Sequence, residues 1–118
     1  MLNQEIKKLV LKAGSTDLRL GMPKLTAKLQ TDYGLDPCED GTLFLFCGGK
    51  RDRIKGLTHG PKGFIIFTQY LNQKVFQWPD KTSDALEISQ ESYEKLMDGY
   101  RIETVLSRRE VMKYELHL

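Results

Sequence analysis

Thr42-Leu43-Phe44-Leu45-Phe46-Cys47 is an unbroken apolar, aromatic-rich run set between Gly41 and Gly48-Gly49. A strand with one face in water alternates apolar and polar side chains, so a continuous run of this length implies a strand covered on both faces. It is expected to be the central strand of a sheet. Upstream, Met22, Leu25, Leu29 and Tyr33 recur at spacings of three, four and four, with Pro23 near the first turn and Gly34 just past the end. Together these predict a helix with its own start and stop signals. Ile6 to Lys12 fits either a short helix or a sheet edge, and Leu9-Val10-Leu11 favours a strand. Downstream, Arg53 to Thr58, Gly63 to Tyr70 and Lys74 to Trp78 read as further strands, separated by the turns His59 to Gly63 and Leu71-Asn72-Gln73.

After Trp78-Pro79 a polar loop leads to a brief strand, Ala85 to Ile88. Ser89 then caps a helix in which Tyr93, Leu96, Met97 and Tyr100 fall at i, i+3, i+4 and i+7, with Gly99 near the end. Val105 to Leu118 shows no period that assigns it, and a mobile tail is one reading of it. These segments make the fold class α+β: a small, mostly antiparallel sheet meander with two or three short helices. Phe44, Phe46 and Phe64 are expected in its core.

A chain of 118 residues fits one domain, residues 1–118, because a second core would lack apolar material. With 40% hydrophobic and 29% charged residues the composition is that of a folded globule rather than a disordered tract. The longest apolar runs fall far short of the roughly 20 residues that cross a bilayer, and Met1 to Glu5 has no secretory pattern. A cytoplasmic location is the expectation. Cys38 and Cys47 lie nine positions apart, neither a zinc pattern nor a disulfide framework, and are expected as reduced thiols with Cys47 buried.

Charge is unevenly distributed. Between Lys50 and Lys62 stand Lys50, Arg51, Arg53, Lys55 and Lys62 against the single acid Asp52. Between Asp80 and Asp98 the acids Asp80, Asp84, Glu87, Glu91, Glu94 and Asp98 outnumber Lys81 and Lys95. Any nucleic-acid contact should therefore be one-sided. No nucleophile elbow, P-loop, dinucleotide fingerprint or zinc-protease motif is present, and the scattered Asp17, Asp36 and Asp52 suggest no catalytic constellation. No enzymatic activity, metal site or cofactor is expected. His59 and His117 stand apart from any ligand-spaced partner and are read as surface residues.

Across Gly14 to Glu103 a series of short motifs runs in order: Thr16-Asp17-Leu18-Arg19 with Gly21, Leu35-Asp36-Pro37, Leu43-Phe44-Leu45-Phe46, Arg51-Asp52-Arg53-Ile54-Lys55, Gly63-Phe64 and Phe76-Gln77-Trp78-Pro79. In this order they resemble the TnpB family of IS66 insertion sequences, the small product of the second reading frame. The resemblance implies a non-catalytic accessory role in DNA transposition, beside a separate transposase of the same element. It departs from the family at His59-Gly60, where a Trp and an acid are usual, and at Gln69-Tyr70-Leu71-Asn72, where a Lys-Arg-Leu-Glu stretch is usual. Either the nucleic-acid surface is confined to Lys50 through Lys55, or the copy is an inactive relic.

Lys50, Arg51, Arg53 and Lys55 are the main candidates for phosphate contact, with Gly48-Gly49 allowing a tight bend before them. The alternative is a solvated hairpin end whose charges discourage aggregation. Arg19 is a further candidate for phosphate or a partner, although Thr16 and Asp17 fit a structural turn better. Trp78 could stack on a base, but a core Trp at a strand end is the simpler expectation. A module that joins the transposase and binds no DNA is the competing class of function.

Overall fold

The computed structural model describes residues 5–71, 75–80 and 84–102. Within them the chain runs β1 (Lys8–Ser15), α1 (Met22–Tyr33), β2 (Thr42–Cys47), β3 (Arg53–Gly60), β4 (Gly63–Tyr70), β5 (Ala85–Ile88) and α2 (Gln90–Met97). The five strands form one sheet in the order β4-β3-β2-β1-β5. β2 is its middle strand, and all six of its residues are buried, as its unbroken apolar run requires. β2, β3 and β4 form the expected antiparallel meander. β1 instead pairs parallel with β2, Leu9 beside Leu43 and Leu11 beside Leu45. A helix joins these two neighbours, and such a crossover returns the chain in the same direction. β5 then pairs antiparallel with the free side of β1, Leu9 opposite Ile88.

Side-chain alternation divides the interior into two clusters. On one face, Val10, Phe44, Phe46 and Leu57 pack against Leu25 and Leu29 of α1. On the other, Leu9, Leu11, Leu43, Leu45, Cys47 and Ile54 are covered by Leu96 of α2 together with Phe76 and Trp78. α1 ends where Gly34 adopts a left-handed conformation, with its N–H donating to Gln30 O and that of Leu35 to Leu29 O. The Ser89 hydroxyl accepts the Ser92 N–H at 3.0 Å and starts α2, which ends at Met97, short of Tyr100.

Two expectations need correction. Residues 75–78 are not a strand. Phe76 and Trp78 point inward and Val75 outward, which copies the period of a strand. Their polar groups go elsewhere, however: the Phe76 N–H to Arg51 O, the Trp78 indole N–H to Lys12 O, and Pro79 O to the Gly14 N–H. The segment is an irregular strap across one end of the sheet. Phe64, expected in the core, is only half-buried because β4 is an edge strand. The segment Val105–Leu118 and His117 lie outside the described residues. No described helix is long and apolar enough to cross a membrane.

Phe46 is 1% exposed and wedged between β2 and α1. Phe46→Ala should lower stability by about 3 to 5 kcal/mol through lost contacts and a cavity, measured by denaturant unfolding. A melt unchanged from the parent would show that this face is not packed as described. Gly56 lies opposite Phe67, and a Cβ at position 56 would overlap the Phe67 ring. Gly56→Ala should therefore destabilise the chain, and much less so when combined with Phe67→Ala. Additive losses in that double-mutant cycle would rule the overlap out.

Candidate nucleic-acid interface

The five candidate cations converge on the end of the sheet where β2 turns into β3. The Arg51 N–H donates to Gly48 O at 3.0 Å and the Gly48 N–H to Arg53 O at 3.2 Å, closing the turn. The left-handed residue here is Arg51, at φ 60°, and neither Gly48 nor Gly49 has a positive φ. The glycines therefore supply space rather than a special backbone angle. A Cβ on Gly48 would lie 3.2 Å from the Leu18 side chain and 3.7 Å from that of Arg53. The loop carrying Arg19 thus packs directly against the turn.

Lys55 makes that junction. Its ammonium donates to Leu18 O at 3.0 Å and to Leu20 O at 2.8 Å, fastening the loop to β3 on either side of Arg19. It is half-buried. Arg51 also turns inward, with its side chain 21% exposed and a guanidinium nitrogen 3.7 Å from Asp80. Its carbonyl accepts the Phe76 N–H at 2.6 Å, so it anchors the strap. Burial raises the pKa of the Cys47 thiol, and the adjacent Arg51 guanidinium opposes that rise by hydrogen bond and charge. Cys38 is exposed, and both cysteines are free.

The outward-facing cations are Lys50, Arg53 and Arg19. Lys50 is exposed at the turn and has no ion-pair partner among the described residues. Arg53 stands 3.4 Å from the Asp52 carboxylate and lies over the Tyr70 ring, 5.4 Å from its centroid. Arg19 is 91% exposed and binds Asp17 through two nitrogens, each at 2.9 Å. The Arg19 N–H also donates to Asp17 Oδ1, the turn expected of an Asp at this place. The Arg19 guanidinium and then its backbone N–H hold the Asp17 carboxyl down to about 2. Thr16 is buried, its N–H donating to Cys47 O at 2.8 Å.

Two features were invisible in the linear sequence. Lys28 and Arg51 both come within electrostatic range of Lys12 in the folded chain; burial lowers the Lys12 pKa and both cations depress it further, against Asp32. Tyr70 is the exposed aromatic beside a cation, at 62% exposure. Trp78, considered for that role, is buried, with its indole bonded to Lys12 O. The carboxylates are occupied locally: Asp17 by Arg19, Asp36 by the Cys38 N–H and Asp52 by Arg53. Among the described residues no cluster of His, Cys, Asp or Glu is arranged to hold a metal ion.

The family profile described as IS66 Orf2 like protein matches residues 7–107, which include every described strand and helix. The chain belongs to that family. Its role is thereby one accessory to insertion-sequence transposition. A relative in Sinorhizobium fredii (strain NBRC 101917 / NGR234), with the name uncharacterized protein y4hO, is 34% identical over 86 residues, 73% of this chain and 74% of that protein. No solved structure matches. In this IS66 Orf2-like chain the motif Arg51 to Lys55 is thus a turn and strand start in which Arg51, Ile54 and Lys55 hold the structure together while Arg53 stands over Tyr70 at the edge of the sheet.

Lys55→Met keeps the aliphatic stem but leaves the Leu18 and Leu20 carbonyls without their donor. It should lower stability by about 1 to 3 kcal/mol, read as a lower melting temperature, whereas Lys50→Met should leave the melt unchanged. Equal melts would show that the junction is dispensable. The depressed Asp17 pKa means that its contribution is complete above the ordinary 3.8 and is lost as pH falls through about 2. A carboxyl NMR titration should find Asp17 near that lower value, and Arg19→Ala should raise it towards the ordinary one.

Proposed function

We propose that this protein is a non-catalytic accessory factor of transposition that grips DNA by its phosphates through Lys50, Arg53 and Arg19, while Arg51 and Lys55 build the turn that presents them. It acts in the bacterial cytoplasm beside the transposase of the same element. The observation that carries this proposal is the convergence around Gly48 of the loop bearing Arg19 and the turn bearing Lys50 and Arg53. Cations placed this way meet phosphate oxygens without reading bases. The exposed acids Glu87, Glu91 and Glu94 are carried by β5 and α2 rather than by the turn or the Arg19 loop.

A second reading has support of its own. Arg19, Arg51 and Arg53 each face an Asp, which reduces the positive charge open to phosphate and suits a module that binds the transposase and not DNA. A salt titration separates the two. With two or three phosphate contacts, log affinity for duplex DNA should fall against log salt with a slope of roughly −2 to −3. Replacing Arg19, Lys50 and Arg53 together by Gln should flatten that slope and abolish binding with native far-UV circular dichroism retained. Identical binding curves for the parent and the triple variant would leave the protein-interaction module as the function. The absence of catalysis is tested separately: metal-dependent DNA cleavage that disappears on replacing one carboxylate would overturn it.

A further inference from the structure

β4 forms one edge of the sheet, paired with β3 on one side and with no described strand on the other. An edge strand offers a row of open backbone donors and acceptors, and proteins commonly protect it by shortness, a bulge, proline or charge. The opposite edge, β5, is protected by two of these, being four residues long and carrying the exposed Glu87. β4 has none of them. It runs eight residues in unbroken register with β3, from Arg53 opposite Tyr70 to Gly60 opposite Gly63. Its sequence, Gly-Phe-Ile-Ile-Phe-Thr-Gln-Tyr, contains neither a charge nor a proline. Apolar surface flanks this edge on both faces: Phe64 and Ile66 border the α1 cluster, Phe67 borders the other, and each is only half-buried.

We propose that β4 pairs antiparallel with β4 of a second copy, joining two five-stranded sheets into one. An uncharged strand meets no repulsion from its own copy, and a two-fold interface needs only one self-complementary surface. A two-fold axis perpendicular to the sheet keeps both α1 helices on the same side and pairs residues of like face. Centred on Ile66, it sets Ile66 against its copy, Ile65 against Phe67 and Phe64 against Thr68. Every one of these cross-strand pairs is apolar or apolar with Thr, the kind that stabilises a ladder. A strand bearing charges would gain the same backbone bonds but place those charges against isoleucine and phenylalanine. The two β3 strands would then lie three strand spacings apart, about 14 Å. Pairing of this kind does not depend on DNA contact.

Sedimentation velocity of the full chain between about 1 and 100 µM should show a dimer. In a Cys38→Ser background, Ile66→Cys places a thiol on the axis, directly opposite its copy. Mild oxidation should link it between chains at least about tenfold more than Thr68→Cys, because disulfides need closely opposed Cβ atoms. Thr68→Lys, at an exposed position on the edge, should weaken dimerisation at least about tenfold with native far-UV circular dichroism retained. A monomer throughout the range overturns the proposal. So does a dimer that cross-links no better at position 66 than at 68, or one indifferent to Thr68→Lys.

Discussion

The constraint on which the rest of the structure depends is the burial of β2 on both faces. A strand without a solvent side cannot be satisfied by one packed layer. It needs a cover above, a cover below and a ladder on each flank. Leu25 and Leu29 of α1 supply one cover, and Leu96 of α2 with Phe76 and Trp78 supplies the other. β1 and β3 take up its backbone bonds. Even the buried hydroxyl nearby follows this rule, since Thr58 donates to Thr42 O at 2.8 Å across the ladder. The short helices and the irregular strap are the means by which a chain of this size surrounds one apolar strand.

Most of that arrangement was legible because local signals agreed with the global need. Thr42–Cys47, the hairpin strands and the Ser89 cap each announce themselves within a few residues. Residues 75–78 misled because burial at every second position is a property of the side chains, whereas a strand is defined by where the backbone bonds go. Phe76 and Trp78 satisfy the first condition, while the donor from Phe76 finds Arg51 O rather than a neighbouring strand. The direction of β1 was deducible in principle from the helix that follows it. Phe64 was misjudged because hydrophobicity does not reveal whether a strand is at an edge.

The cations show the same limit more sharply. A linear count treats Lys50, Arg51, Arg53 and Lys55 as one patch, but the fold assigns them different tasks. Lys55 holds backbone carbonyls, Arg51 takes a left-handed backbone and braces the strap, and only Lys50 and Arg53 face outward with Arg19. No residue spacing could have distinguished them, since each role depends on a partner far away in sequence. Lys12 and Lys28 were missed for that reason too: their proximity exists only after α1 has settled on the sheet.

The strand order also governs how the chain matures during synthesis. β2, β3 and β4 are contiguous hairpins, and β1, made earlier together with α1, can pair as soon as β2 emerges. The second cover comes last, because Phe76, Trp78, β5 and α2 all emerge after the whole four-stranded sheet. Until then Leu9, Leu11, Leu43 and Leu45 face water from a sheet that still lacks β5. Ribosome stalling or truncation before about residue 96 would release a species with an open apolar face, a natural substrate for chaperones and proteases. The final turn of α2, where Leu96 docks, thus separates a chain the cell would clear from one it would keep.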